Sequence, residues 1–212
     1  MKIEIFSDFT CPFCYVSKTK LFSAMDELNM REQVKIIYKA YQLSPDAAKE
    51  GTEFYKEAML KRFNGNQKKL DEAIEAVQMH AQEAGLTYNV DAIKVANTEN
   101  AHRLAKLAEH YGQADAFTER IMSGYFTHGM NLNDRETLFA ICEELTIPRA
   151  EAEKVLAEQL YSEELAADRY DAQQLQITSV PFMVFEDRYG IKGVEPIDIY
   201  LKTLRQASAI TE

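Results

Sequence analysis

The sequence is poor in several residue types. Tryptophan is absent, and proline and glycine occur only five and eight times in 212 residues. We find no repeat and no low-complexity segment. No apolar run approaches the length that a transmembrane helix needs, which excludes a protein with membrane-spanning helices. Positive charge is also scarce: 24 basic residues face 34 acidic ones, and the net charge is −10. This balance argues against a nucleic-acid backbone or an anionic membrane surface as partner.

No secretory signal is visible at the start of the sequence either. Met1 and Lys2 lead directly into a strand-like segment, with no apolar core region and no small-residue cleavage site. We therefore expect a cytoplasmic protein, in a compartment that keeps thiols reduced. Only three cysteines are present. Two of them, Cys11 and Cys14, are close in sequence, and in that compartment such a pair is expected to be catalytic and not structural.

The cysteine pair belongs to the stretch Cys11-Pro12-Phe13-Cys14. A short apolar run precedes it, and residues 15–28 have the pattern of a helix. A strand that ends in Cys-x-x-Cys and leads into a helix is typical of a thioredoxin-type redox site.

The spacing of the motif assigns a different task to each sulfur. Cys11 would lie just before the unpaired N–H groups at the start of the helix, which favour a thiolate. The thiolate is the species that attacks disulfides. Pro12 suits the first helical position, where a missing N–H costs nothing. Cys14 lies a turn further in and is the natural resolving thiol, which releases a mixed disulfide from Cys11.

Other uses of the pair fit less well. A structural zinc site needs two further ligands. The third cysteine, Cys142, falls in an apolar helical stripe, where we expect a buried, inert thiol. The four histidines show no matching pair at short spacing; they are His80, His102, His110 and His128. We therefore predict no metal site. A structural disulfide across so short a loop would constrain little chain entropy.

The order of predicted elements indicates an α/β fold with an insertion. Residues 2–6 and 34–38 have strand character on either side of the first helix, which predicts a parallel βαβ unit. Residues 44–160 are helical in pattern, with Asn133 as an expected N-cap. Strand character returns in residues 180–185 as the first part of a hairpin, and a last helix follows.

These elements divide the chain into two predicted domains. Residues 1–43 and 165–212 form a thioredoxin-like domain, and residues 44–164 form an all-helical domain inserted into it.

Several motifs together resemble a known family. They are FTCPFCY at 9–15, YQLSP at 41–45, ANT at 96–98, AHRL at 101–104, SGYF at 123–126 and ITSVPF at 177–182. In this combination and order the chain resembles the DsbA-like thioredoxin family, specifically its cytosolic FrnE-type branch, over essentially its whole length. The resemblance implies a DsbA-like thioredoxin fold and dithiol–disulfide chemistry.

The resemblance also implies roles for individual residues. The proline that corresponds to Pro181 is cis in the family and lies against the disulfide, and the backbone of Val180 would pair with an incoming substrate. Pro12 and Phe13 would contact the substrate beside them. Taken alone, Pro181 is equally compatible with an ordinary proline at the start of a strand.

Two further residues have two interpretations each. His102 is a candidate accessory residue that would raise the thiolate fraction of Cys11 from the helical domain; alternatively, it packs between the domains. Asp8, three residues before Cys11, could shuttle a proton or only hydrogen-bond within its loop.

The predicted function is therefore a cytosolic thiol–disulfide oxidoreductase or isomerase acting on disulfides of proteins or small molecules. Cellular thiol reductants would be its partners, with no bound cofactor and with glutathione as a candidate redox partner. A glutathione-dependent transferase or a 2-hydroxychromene-2-carboxylate isomerase-like enzyme on the same fold is the alternative, although such relatives typically carry serine at the nucleophile position. A binding or holdase module that uses the groove between the domains is a third hypothesis.

Overall fold

The computed structural model describes residues 1–51 and 53–209. The strands are β1 (Lys2–Ser7), β2 (Lys35–Ala40), β3 (Phe182–Phe185) and β4 (Tyr189–Lys192). The α-helices are α1 (Pro12–Glu27), α2 (Tyr55–Arg62), α3 (Gln67–Glu83), α4 (Glu99–His110), α5 (Ala114–His128), α6 (Arg135–Glu144), α7 (Arg149–Ala157), α8 (Ser162–Gln174) and α9 (Ile197–Ser208).

The strands form one mixed sheet in the order β2-β1-β3-β4. β1 pairs in parallel with β2, which confirms the predicted βαβ unit, and β3 runs antiparallel to both β1 and β4. The hairpin strands are shorter than predicted at both outer ends. Pro181 has no N–H to donate to a ladder, and Gly193 ends β4 with a φ of +76°, a conformation that favours glycine.

Helices cover both faces of this sheet. Ile5 of β1 and Met183 of β3 pack with Leu21 of α1 and Leu204 of α9 on one face. On the other face, α8 contributes Ala172 to a smaller cluster with residues of β1 and β3. Burial on both faces removes the central strands from water, which is the main favourable contribution to forming the sheet.

The described residues between β2 and α8 form the helices α2 to α7 and their connecting loops, with an isolated bridge between Phe54 and Lys94. Its helices share a third hydrophobic cluster, and the first turns of α1 contribute Cys14, Tyr15 and Val16 to it. α1 therefore joins the sheet core to the helical core. The predicted fold class, α/β and thioredoxin-like with an all-helical insertion, is confirmed.

The exact domain limits, 1–43 plus 165–212 and 44–164, stay a prediction. Residue 52 and residues 210–212 fall within those ranges but lie outside the described residues.

One predicted helix cap is wrong. Asp134, and not Asn133, caps α6, and its carboxylate accepts hydrogen bonds from the N–H groups of Glu136 and Thr137. The side chain of Asn133 is engaged elsewhere: its Oδ1 accepts from the N–H of Asn97 at 2.9 Å, and its amide donates to the carbonyl of Val95. Either residue type is a good N-cap, so the sequence alone does not distinguish the two.

Within the described ranges, none of the helices combines the length and the apolar character needed to cross a membrane.

Candidate active site

The loop between β1 and α1 places the two cysteines at the start of the helix. Cys11 is the N-cap residue, with extended backbone angles, and Pro12 takes the first helical position as predicted. The N–H of Cys11 donates to the carbonyl of Asp8 at 3.1 Å, and the N–H of Cys14 donates to the carbonyl of Cys11 at 3.0 Å. This tight turn puts both side chains at the same end of α1, where unpaired helical N–H groups favour negative charge.

The second part of the site comes from the far end of the chain. The Val180–Pro181 peptide bond is cis, and the Sγ atom of Cys11 lies 3.7 Å from the carbonyl oxygen of Val180. The fold thus brings residues that are 169 positions apart into contact. The backbone of Val180 lies beside Cys11, next to the start of β3.

The two thiols are both nearly buried, with exposed fractions of 4% for Cys11 and 1% for Cys14. Burial raises the pKa of the Cys14 thiol well above its usual value, and its interaction with Cys11 adds to this. Hydrogen bonds from the backbone of Asp8 and the side chain of Ser7 act in the opposite direction but do not offset burial. Cys14 is therefore a protonated thiol at neutral pH when the pair is reduced.

Asp8 is the most fully enclosed charged residue near the pair, with an exposed fraction of 1%. Burial alone would raise its pKa, but hydrogen bonds and the electrostatic attraction of His102 lower it below the ordinary range. The Oδ2 atom accepts from the N–H of Leu43 at 2.7 Å and from the hydroxyl of Thr10 at 3.2 Å. The side chain of Thr98 also contributes a hydrogen bond. Asp8 thus fixes the loop that carries Cys11 against the inserted helices.

His102 reaches the site through Asp8. It lies on α4, is 5% exposed, and places its Nε2 atom 3.3 Å from the Oδ1 atom of Asp8. Its ring packs on Phe9 with 4.7 Å between ring centroids. His102 thus packs between α4 and the loop that carries Cys11, and it contacts Asp8, a charged neighbour of the cysteine pair. An effect of His102 on the thiolate fraction of Cys11 stays a prediction.

Aromatic residues of the insertion surround the start of α1. The hydroxyl of Tyr88 donates to the carbonyl of Pro12 at 2.8 Å, and Phe13 packs edge-on against His80 with 5.8 Å between ring centroids. Burial raises the pKa of Tyr55, and the charge of Cys11 contributes to this shift. We did not predict Tyr55 or Tyr88 as site residues, because no spacing in the sequence relates them to Cys11.

The remaining thiol lies apart from this site. Cys142 is fully buried in the helical core, and burial raises its pKa to about 12. Among the described residues, no group of three or more histidine, cysteine, aspartate or glutamate side chains is arranged to hold a metal ion.

Comparison with known proteins places this chain in a family. The DSBA-like thioredoxin domain matches residues 2–205, and the chain therefore belongs to the DSBA-like thioredoxin domain family. An uncharacterized protein of Bacillus subtilis, YwbO, is 22% identical over 204 residues, covering 95% of this chain and 94% of its own.

Solved structures support the same assignment. A probable DsbA oxidoreductase from Streptomyces coelicolor superimposes with a TM-score of 0.91 at 28% identity, over 99% of this chain and 90% of its own. The cytosolic disulfide reductase DsbM from Pseudomonas aeruginosa, also solved with glutathione, superimposes with a TM-score of 0.66 at 15% identity, over 99% of this chain and 100% of its own. A 2-hydroxychromene-2-carboxylate isomerase superimposes with a TM-score of 0.68 at 19% identity, over 100% of this chain and 96% of its own. The last two show a shared fold alone.

Proposed function

We propose that this protein is a thiol–disulfide oxidoreductase or isomerase that acts through Cys11 and Cys14. One observation carries the proposal: the Cys11 sulfur lies at the helix start, beside the carbonyl of Val180, with a second thiol one turn further in. A pair so arranged can exchange two electrons with a disulfide and needs no further redox group.

The reaction takes place in two exchanges. The thiolate of Cys11 attacks one sulfur of a substrate disulfide, a bond forms between the two sulfurs, and the other substrate sulfur leaves as a thiolate. Cys14 then loses its proton and attacks the Sγ atom of Cys11. The Cys11–Cys14 disulfide forms, and the second substrate sulfur leaves reduced. Two electrons pass from the cysteine pair to the substrate, and the opposite sequence oxidises a substrate dithiol.

Four residues beside the pair take the roles that the resemblance implies. The backbone of Val180, held beside Pro181, would orient an extended substrate so that its sulfur meets Cys11. Pro12 and Phe13 would contact the substrate next to the motif, where Phe13 is half-buried.

His102 and Asp8 act as positioning residues that hold the loop bearing Cys11. Protein and small-molecule disulfides are both proposed substrates, with cellular thiols as reductants in the cytoplasm.

Trapping the mixed disulfide tests the division of labour between the two thiols. We expect the Cys14→Ser variant to accumulate a covalent adduct between Cys11 and a disulfide substrate such as native insulin, because the resolving thiol is gone. The Cys11→Ser variant should form no adduct. Mass analysis after acid quenching measures both, with Cys142→Ser as the matched control. An adduct on Cys14, or turnover that survives loss of Cys11, would contradict the proposal.

The alternative is a glutathione-dependent transferase or an isomerase of the 2-hydroxychromene-2-carboxylate type. The shared fold with such an isomerase, and the glutathione bound to the DsbM neighbour, favour testing it. This reading predicts saturable glutathione binding and activity that survives Cys14→Ser. The second thiol in the motif is the observation that favours disulfide chemistry, because conjugation to glutathione needs no resolving thiol.

A further inference from the structure

A cavity of about 230 Å³ lies between α8 and the segment that follows β2, and neither Cys11 nor Cys14 lines it. Its polar lining residues are Tyr41, Gln42, Arg169 and Gln173. Ile177, which precedes the Val180–Pro181 segment, also lines the cavity. The proposed redox chemistry does not use this cavity.

The charge of the lining is unusual for this chain. The sequence has an excess of ten acidic residues over basic ones, yet no aspartate or glutamate lines the cavity. The two acids that flank Arg169 on α8 are already paired: Asp168 binds Lys39 and Lys106, and Asp171 binds Lys39. Arg169 forms no ion pair with any residue in 1–51 or 53–209. Arg169 is exposed, and none of the described acidic side chains pairs with its charge, which favours an anion at the cavity.

A second observation points to a hydrogen-bond acceptor. The Nε2 atom of Gln42 is buried and has no hydrogen-bond partner among the described residues. Leaving a buried donor unsatisfied is costly, so such groups in native proteins normally meet a partner or a ligand. Gln42 lines the same cavity as Arg169. An amide and a guanidinium together supply N–H donors of the kind that a carboxylate accepts.

The rest of the lining is apolar. Leu165, Ala172 and Ile177 contribute the hydrophobic wall. Inorganic phosphate would gain nothing from such a wall, whereas the carbon skeleton of an organic acid would bury apolar surface against it. This volume lies below the roughly 300–1,000 Å³ of sites for drug-sized ligands, so the part of the ligand inside the cavity is small.

We propose that this cavity binds the carboxylate of a small organic acid, with the guanidinium of Arg169 and the amide of Gln42 as donors. This site goes beyond the proposed redox function and does not depend on it. The carboxylate could belong to a free acid or to a peptide that carries a thiol. The chemistry at Arg169 is the same for both sources, and different probes distinguish them.

Titration of the ¹⁵N-labelled protein tests the proposal. The probes are succinate, as a free acid, and S-methylglutathione, whose sulfur is blocked, so that neither probe reports on thiol exchange. Inorganic phosphate is the third titrant. We expect saturable shifts of the backbone amides of Gln42, Arg169 and Ile177 with at least one of the two organic acids. Succinate alone would indicate a free acid, and S-methylglutathione alone would indicate a peptide.

Matched variants show whether the binding uses the proposed donors. Arg169→Gln should weaken the affinity for the organic acid by about tenfold or more, because a charge-assisted hydrogen bond is lost. Gln42→Leu should also weaken it. Arg188→Gln, at an exposed arginine in the turn between β3 and β4, should leave it unchanged.

The proposal is overturned if neither organic acid gives saturable shifts at these amides. It is also overturned if Arg169→Gln leaves the affinity unchanged, or if phosphate binds as tightly as the organic acids. Because no probe carries a free thiol, a failure here leaves the redox proposal untouched, and loss of redox activity would leave this site untouched.

Discussion

At the scale of single residues, the three thiols differ in their surroundings, although all are nearly buried. Cys11 lies at the helix start beside the backbone of Val180, Cys14 lies one turn deeper, and Cys142 is enclosed by the helical core. Burial raises the pKa of both Cys14 and Cys142. Since the thiolate is the reactive form, the difference in surroundings becomes a difference in reactivity.

Cys142 should be inert in the native protein. Its pKa of about 12 leaves almost no thiolate at pH 8, and its side chain is fully buried. We expect iodoacetamide at pH 8 to modify Cys11 first and to modify Cys142 only after unfolding in urea. Peptide mass mapping of the reduced protein measures this, with the unfolded protein as control. Modification of native Cys142 at a rate similar to that of Cys11 would contradict the assignment.

Asp8 should make the stability of the protein depend on pH. Its folded pKa is lowered by His102 and the surrounding donors despite burial. The stabilisation is therefore complete above the unfolded pKa of about 3.9 and is lost as the pH falls through the lower folded pKa. We expect Asp8→Asn to reduce the free energy of unfolding by about 2 kcal/mol at pH 7.

Urea denaturation of wild type and Asp8→Asn at several pH values measures that difference. The gap between the two proteins should narrow as the solution is acidified below about pH 4. A gap that stays the same from pH 7 to pH 3 would show that the carboxylate charge of Asp8 contributes nothing to stability.

At the scale of elements, one buried carboxylate connects three of them. Asp168 of α8 accepts from the N–H of Ala40 in β2 at 2.9 Å. It also pairs with Lys39 of β2 at 3.2 Å and with Lys106 of α4 at 2.6 Å. Its side chain is 4% exposed, so both lysines would lose a desolvated partner if it were removed. Asp168 therefore ties the edge of the sheet to the helices.

Replacing Asp168 should be costly. We expect Asp168→Asn to lower the free energy of unfolding by about 3 kcal/mol, because breaking a buried ion pair leaves uncompensated charge. Asp187→Asn is the control, since Asp187 forms an exposed pair with Lys2 at 2.7 Å, and exposed pairs contribute about 1 kcal/mol or less. Urea unfolding measures both. Equal effects of the two substitutions would contradict a structural role for Asp168.

Elements with strong periodicity could be predicted from the sequence, and finer features could not. The parallel strands and the final hairpin follow from short apolar runs. Asp134 and Asn133 are adjacent and equally suited to cap a helix, and only the contact of Asn133 with Asn97 decides between them. Local pattern gives the type of an element, and tertiary contacts fix its ends.

At the scale of the whole molecule, the site forms where distant parts of the chain meet. The cysteine pair could be predicted from its spacing, because Cys11 and Cys14 are only three positions apart. The proximity of Cys11 to Val180 followed only from family resemblance, and the contact of Asp8 with His102 spans 94 positions. Tyr55 and Tyr88 were missed for the same reason, because a residue at the start of α2 and a residue in the loop after α3 have no local signal that relates them to Cys11.

The central claim is that Cys11 and Cys14 form one redox couple, and a redox titration tests it most directly. The Cys142→Ser protein would be equilibrated in graded glutathione buffers, trapped with a thiol reagent and weighed by mass spectrometry. We predict a two-electron transition confined to Cys11 and Cys14. The Pro12-Phe13 dipeptide resembles that of glutaredoxins, so the midpoint should lie at roughly −200 to −230 mV. Failure of the pair to cycle, or a stable glutathione adduct on Cys11, would contradict the account and favour a glutathione-dependent enzyme.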